Sequence, residues 1–196
     1  IYMKRFLSLS VAIGIILLSS CIKPMVFEPV INGKGLTFSL QKEFGEAIGY
    51  FSWPEDVSVN NKGNLYISDH GNNKIHIFTS TGDHIKSFGN AGAGDGLFNN
   101  PSGIFTDKND NVYICDGNCG IQKFNSNGDF LMRFGSAGLG DGEFNQPTDV
   151  VVDSYGRIYV CDVGRNIIQV FNSNGVFIEK WEYSGDGKGE WNSLWG

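Results

Sequence analysis

The stretch FNNPSGIFTDKNDNVYICDGNCGIQKFNSNGDFLMRFG, residues 98–135, decides the fold because it is one copy of a unit that recurs on both sides. Its proline has counterparts 47 residues earlier and 46 residues later, giving Pro54, Pro101 and Pro147. The same two intervals separate Asp69, Asp116 and Asp162. Self-similarity at a period of about 20 to 50 residues indicates a repeat architecture.

Each unit is predicted to be a four-stranded antiparallel meander. In the central copy, segments rich in Ile, Val, Tyr and Phe occupy residues 103–106, 111–115, 121–125 and 130–134. Asn, Asp, Ser and Gly fill the turns at 107–110 and 125–128, and these residues tolerate the backbone of tight hairpins. Ankyrin and tetratricopeptide units are helical and leucine-rich units are shorter, so this unit predicts the blade of a β-propeller.

The third copy resembles an NHL repeat in the order of its residues. The matching positions are 139–147, 150–153, 156, 158–160, 162, 168–171 and 175. The resemblance covers about residues 44–196 and implies an all-β fold, a β-propeller of NHL type, which usually has six blades. Phe98 and Phe144, each three residues before a repeat proline, are expected to pack between blades, as is Trp191.

The chain is predicted to contain part of such a ring, over residues 35–196. Three four-stranded blades follow a leading strand at residues 36–45, and a further repeat begins at 187–194. We expect an open arc with apolar end faces, in which the leading strand has no partner strands of its own blade and Trp181 lacks a covering blade. A C-terminally truncated sequence is the simplest explanation of this pattern.

The N-terminus has the features of a bacterial lipoprotein. Lys4 and Arg5 precede an apolar run at 6–18, which is typical of a secretory signal and short for a membrane-spanning helix. Leu18-Ser19-Ser20-Cys21 resembles the lipobox, whose cysteine is lipidated. We predict a lipoprotein signal peptide at 3–20, a lipid on Cys21 and a tether at 21–34, which place the protein in the bacterial cell envelope, outside the cytoplasm. An ordinary signal peptide with an incidental cysteine is the alternative.

The charge of the chain argues against a nucleic-acid partner. The formal net charge is −6, whereas phosphate backbones favour clustered Lys and Arg. Some NHL propellers of tripartite-motif ubiquitin ligases bind RNA, but this chain has neither their zinc modules nor a basic face.

Three cysteines lie within the repeats. Cys115 and Cys161 occupy the same rung of successive blades, and facing sheets about 10 Å apart are too distant for a disulfide. Cys115 and Cys119 bracket a short loop and could pair or help to hold a metal. Small buried thiols are the favoured interpretation.

The repeated acids are predicted to be structural. A carboxylate that caps loop amides should recur in every blade, as Asp69, Asp116 and Asp162 do, whereas a catalytic group would more often be singular. The linker acids Asp95, Asp141 and Asp186 also repeat, but a calcium site requires about 6–8 oxygens, which no clustered acidic loop supplies. No metal or other cofactor is predicted.

Strand parity places the loops after the second and fourth strands of each blade on one face, where binding usually resides. The predicted ligand-binding face comprises Asp69, His70, Asn72, Asp116, Asn118, Asp162 and Arg165. We expect a non-enzymatic module that binds a protein, peptide or glycan.

The alternative is a metal-dependent propeller enzyme of the amidating-lyase or lactonase kind. The amidating lyase, whose fold is similar to that of NHL proteins, holds zinc with histidines from several blades. Here only His70 is suitably placed, since the later blades have Gly117 and Val163 instead. No catalytic residue is therefore predicted.

Overall fold

A computed structural model describes residues 14–16, 25–32, 35–43, 49, 51–117 and 120–182 of the protein. The first three segments form an antiparallel sheet in the order β1 (Gly14–Ile16), β2 (Met25–Asn32) and β3 (Gly35–Glu43). The predicted leading strand is confirmed as β3, which pairs with β2 and not with a strand of the repeats. The strand β2 lies within the predicted tether.

The three repeats form three four-stranded antiparallel sheets, here called blades 1, 2 and 3, so the predicted all-β meanders are confirmed. Blade 1 consists of β4 (Pro54–Val59), β5 (Leu65–Asp69), β6 (Lys74–Phe78) and β7 (His84–Phe88). Blade 2 consists of β8 (Ile104–Thr106), β9 (Val112–Asp116), β10 (Gly120–Phe124) and β11 (Phe130–Phe134). The short strands β12 (Ser136–Ala137) and β13 (Glu143–Phe144) pair in parallel within the next linker.

Blade 3 consists of β14 (Pro147–Val152), β15 (Ile158–Asp162), β16 (Ile167–Phe171) and β17 (Phe177–Glu182). A 3₁₀ turn at His70–Asn72 joins β5 to β6. No helix among the described residues is long and apolar enough to cross a membrane.

Asn and Asp side chains close the hairpins within each blade. In the first turn of blade 2, Asp107 Oδ1 accepts hydrogen bonds from the main-chain N–H groups of Asn109 (2.8 Å) and Asn111 (2.9 Å). Asp153 makes the same pair of contacts in blade 3, with Tyr155 and Arg157. These local contacts explain why turn composition predicted the strand positions well.

The core lies between adjacent blades and is organised by the two linker phenylalanines. Phe98 is fully buried among residues of blades 1 and 2, such as Ile75 and Phe124. Phe144 is fully buried among residues of blades 2 and 3, such as Ile121 and Phe171. The predicted packing is confirmed for both, and Trp191 lies outside the described residues.

Each of these rings packs directly on a glycine. A Cβ at Gly89 would collide with the ring of Phe98, and a Cβ at Gly135 would collide with that of Phe144. Both glycines also have positive φ angles, 88° and 81°. Glycine is therefore required there for both space and backbone conformation.

Cys115 and Cys161 are not joined by a disulfide, as predicted. Cys115 is completely buried, and burial raises the pKa of its thiol well above the ordinary value. Cys119 lies outside the described residues. Cys115 is therefore a small core residue with an unreactive thiol.

The outward side of blade 3 carries several apolar residues. Trp181 is 50% exposed and packs on Tyr159 with 5.6 Å between ring centroids. Val151 and Ile178 are also exposed. These three side chains expose apolar surface on this side of blade 3.

Candidate functional site

The loops that follow the second strand of each blade lie beside the linker that enters the blade. In blade 1, the main-chain N–H of Gly71 donates to the oxygen of Ser52 (2.7 Å). In blade 3, the N–H of Val163 donates to the oxygen of Gln146 (3.0 Å). These contacts bring the two kinds of loop to one side of the blades, here called the loop face.

The three repeated aspartates hold the entering linkers in place. Asp69 Oδ1 accepts a hydrogen bond from the N–H of Ser52 (2.8 Å) and Asp116 Oδ1 accepts one from Asn99 (2.8 Å). Asp162 Oδ1 accepts one from the N–H of Gln146 (2.8 Å). All three residues are fully buried. The predicted capping role is confirmed, and these residues of the predicted binding face position loops from beneath it.

Two buried glutamines, which the sequence analysis missed, complete this arrangement. The amide of Gln122 accepts from the N–H of Gly96 (2.8 Å) and donates to the oxygen of Leu97 (2.6 Å). Gln169 makes equivalent contacts with Gly142 (2.9 Å) and Glu143 (2.7 Å). Their recurrence 47 residues apart was the signal that could have found them.

Arg165 also has a structural role, and its charged group is not exposed for a ligand. Its side chain is only 10% exposed. Its guanidinium Nη1 donates to the main-chain oxygens of Gly140 (2.9 Å) and Glu143 (3.0 Å). The guanidinium thus joins the loop of blade 3 to the preceding linker.

The remaining predicted residues of blade 1 include exposed groups. Asn72 is exposed, and its amide donates to Asp69 Oδ2 (2.8 Å). His70 is half-buried, and no group in the described part of the chain forms a hydrogen bond with its buried Nδ1 atom. Asn118 lies outside the described residues.

Beside His70 lies Trp53, which sequence analysis missed. Trp53 is 66% exposed, and its ring centroid is 6.3 Å from that of His70 at an interplanar angle of 59°. The signal in the sequence was that a tryptophan precedes the first repeat proline, where the later copies have Asn100 and Gln146. The structure therefore brings an exposed indole and an imidazole together on the loop face.

The backbone of Trp53 is held in the left-handed region, with a φ of 62°. For a bulky residue this conformation costs about 1–3 kcal/mol and persists only where neighbouring contacts impose it. Gly71 supplies such a contact, since a Cβ there would lie 2.6 Å from the oxygen of Ser52. The close approach of Gly71 to the main-chain oxygen of Ser52 therefore holds the peptide bond between Ser52 and Trp53 in place.

A half-buried acid, Asp56, lies on the first strand of blade 1. The carboxylate of Asp56 accepts hydrogen bonds from the N–H groups of Ile104 in blade 2 (2.9 Å) and Val57 (2.8 Å). Burial raises the pKa of Asp56 to about 6, although these two hydrogen bonds act in the opposite direction. Asp56 is thus a titratable contact between two blades.

Within residues 51–117 and 120–182, and the shorter described segments before them, no three His, Cys, Asp or Glu side chains lie close enough to share a metal ion.

Comparisons with known proteins agree with this architecture. A family model of the NHL repeat matches residues 51–78 and 144–171, which lie in blades 1 and 3. Comparison with curated protein sequences gives no match.

Solved structures with a similar fold include a protein of unknown function from Bacteroides caccae (TM-score 0.59, 15% identity), with 87% of this chain and 58% of that one covered. Virginiamycin B lyase from Staphylococcus aureus is similar at TM-score 0.59 and 17% identity, over 88% of this chain and 56% of the lyase. A streptogramin B lyase is similar at TM-score 0.59 and 18% identity, over 87% of this chain and 54% of the lyase.

At such identities the likeness concerns the fold, and this chain spans a little over half the length of these neighbours. Together with the NHL repeats matched in blades 1 and 3, it defines an all-β fold built of β-propeller blades.

Proposed function

We propose that this protein is a binding module whose loop face holds a protein, peptide or glycan through Trp53 and His70. The observation that carries the proposal is the exposed indole of Trp53, held in a left-handed backbone conformation beside an imidazole. Tryptophan offers a large rigid surface with a polar N–H, and it is enriched among residues that dominate binding.

The polar partner of this surface is His70. Its buried Nδ1 atom has no hydrogen-bond partner among the residues that the structure describes. A buried polar atom without a partner costs free energy, which would be recovered if the imidazole turned its Nδ1 atom towards a ligand. An aromatic surface with one oriented polar group suits a ligand that has both a flat apolar face and a hydroxyl or amide group. Sugar rings and aromatic side chains of peptides meet this description.

The proposed place of binding is the bacterial cell envelope, outside the cytoplasm. The basic, apolar and small residues that lead to Cys21 support export and lipid attachment at that cysteine. A lipid anchor would keep the propeller at the membrane without a spanning helix. No nucleic-acid partner is proposed, because the net charge of −6 opposes binding to phosphate.

The test compares Trp53→Ala with Tyr155→Ala on arrays of soluble glycans and short peptides. Tyr155 is a matched control, because it is 86% exposed but lies in the turn between β14 and β15, at the opposite end of the strands. We expect the wild-type protein to bind at least one class of probe. Trp53→Ala should weaken that binding by about tenfold or more, since loss of a central aromatic contact costs about 2 kcal/mol, and Tyr155→Ala should not.

Equal binding by wild type and Trp53→Ala would place the site elsewhere. The metal-dependent enzyme is the competing outcome and is tested by the zinc and calcium content of the purified protein, with and without His70→Ala. Bound metal that is lost in His70→Ala would favour the enzyme over the binding module.

A further inference from the structure

Blade 1 contains a chain of hydrogen bonds that leads from a buried carboxylate to its outermost strand. Asp69 Oδ2 lies 3.1 Å from His76 Nε2. His76 Nδ1 lies 2.7 Å from Ser87 Oγ, and the same oxygen lies 2.8 Å from His84 Nε2. Four side chains from three adjacent strands thus form one connected group.

The histidine and the serine of this group occur in blade 1 alone among the three blades. Repeat spacing puts Gln122 and Gln169 in the position of His76, where both clamp a linker. It puts Arg133 and Lys180 in the position of Ser87. The aspartate is repeated in every blade, as a structural residue should be. In blade 1, however, His76 and Ser87 take the place of the glutamine that binds the linker and of the basic residue beside it.

One assignment of hydrogens satisfies all three contacts. The N–H at His76 Nε2 donates to the carboxylate of Asp69, which leaves Nδ1 as an acceptor for the hydroxyl of Ser87. The N–H at His84 Nε2 then donates to Ser87 Oγ. Burial and the nearby His76 lower the pKa of His84, which favours the neutral imidazole that this assignment uses.

Packing holds both imidazoles in place. The ring of Phe51 lies edge-on to His76 with 5.3 Å between centroids, and Phe78 lies at the same distance from His84. His76 is almost fully buried, whereas Ser87 is half-buried on the edge strand β7. The base is therefore shielded from water while the serine retains some exposure.

From this geometry we propose that Ser87 is a nucleophile for acyl transfer from small activated esters, with His76 as general base and Asp69 as the residue that orients it. A hydroxyl, a base and an orienting carboxylate within hydrogen-bond reach are the requirements for an activated serine. This activity goes beyond the binding function proposed for the loop face and does not involve Trp53.

The reaction balances with water as the second substrate. Ser87 Oγ attacks the ester carbonyl as its proton passes to His76 Nδ1, and the imidazolium is stabilised by Asp69. The C–O bond to the leaving group breaks, and the departing alkoxide takes the proton to become the alcohol. Water then attacks the acyl group on Ser87 with His76 again as base, which releases the carboxylic acid and restores the hydroxyl.

The test is the rate at which a fluorophosphonate labels Ser87 in the full chain, located by peptide mass spectrometry. The phosphorus–oxygen bond forms, fluoride leaves and the serine proton passes to His76. We expect Ser87 to be labelled at least about 100-fold faster than the exposed Ser136, because a positioned general base contributes about 10²–10⁴-fold. Hydrolysis of p-nitrophenyl acetate should fall to the background rate in Ser87→Ala.

His76→Gln is the matched variant, because glutamine is the residue that blades 2 and 3 have at this position. It should slow labelling of Ser87 about 100-fold or more while the thermal melt remains cooperative. Labelling of wild-type Ser87 no faster than Ser136 would overturn the proposal even if His76→Gln does not fold. Undiminished labelling in folded His76→Gln would overturn it as well.

Discussion

The side-chain amide of Gln169 donates a hydrogen bond of 2.7 Å to the main-chain oxygen of Glu143, which lies 26 residues earlier in the linker that enters blade 3. Its oxygen accepts from the N–H of Gly142 at 2.9 Å. One buried side chain therefore satisfies two main-chain groups of a linker that has only the short strands β12 and β13 of its own.

Gln169→Ala should destabilise the protein by about 1–3 kcal/mol, because it leaves a main-chain donor and acceptor without this partner. Gln169→Glu is a partial control that retains the acceptor for Gly142 and loses the donor to Glu143. The free energy of unfolding from urea titration measures both effects. An unchanged midpoint in Gln169→Ala would show that water replaces the glutamine.

Phe144→Ala should lower the free energy of unfolding by about 3–5 kcal/mol, because the ring is fully buried between blades 2 and 3. Leu139→Ala in the same linker is the control, since Leu139 is 71% exposed and should change stability by less than about 0.5 kcal/mol. Similar thermal stability of the two variants would contradict the observed packing.

Gly135→Ala should destabilise the protein more than Gly156→Ala. Both glycines have positive φ angles, 81° and 85°, so both substitutions impose the same kind of backbone strain. A Cβ at Gly135 would collide with the ring of Phe144, whereas one at Gly156 meets only Ser173 Cβ at 3.6 Å. The difference in unfolding midpoint measures the collision, and equal midpoints would exclude it.

Asp56 should titrate with a pKa of about 6, which carboxyl-carbon NMR can measure. In Asp153, partial removal from water opposes hydrogen bonds from Arg157, Tyr159 and Tyr155, which outweigh it and lower the pKa to about 2. One titration therefore measures an aspartate whose pKa is raised and another whose pKa is lowered. A pKa near 4 for Asp56 would mean that water reaches its carboxylate.

The raised pKa of Asp56 has a defined effect on stability. Between the unfolded value of 3.8 and about 6, the folded protein retains a proton that the unfolded chain has lost. The contribution of Asp56 to stability is thus complete below the unfolded pKa and is lost as the pH rises through about 6. The contribution of Asp153 has the reverse sign, being present above 3.8 and lost as the pH falls through about 2.

Cys21→Ala should abolish lipid attachment and release the protein from the membrane fraction. Cys21 is the proposed first residue of the mature protein. Mass spectrometry of the wild-type N-terminus checks this directly. An unmodified Cys21 still preceded by residues 1–20 would contradict the prediction.

The sequence by itself determined the repeat, the four strands of each blade and the linker phenylalanines. The turn residues Asp107 and Asp153 accept hydrogen bonds from main-chain N–H groups two and four residues later. Because these contacts are local, the sequence alone predicts them. Repetition also identified the capping aspartates, because a structural contact is needed once per blade.

Only the tertiary structure decided which residues of the predicted binding face are available. Arg165 was predicted to lie on the binding face, but its guanidinium donates to the main-chain oxygens of the linker that folds against it. The pairing of β2 with β3, by contrast, is local in the chain, since Asn32 lies opposite Gly35.

The tertiary structure likewise brought Trp53 to His70 and Ser87 to His76, since each pair joins different strands or loops of blade 1. Hydrogen-bond partners and burial depend on which distant main-chain groups approach a side chain. Periodicity specifies where strands begin and end, whereas the packing of linkers against loops determines which polar groups remain free to act.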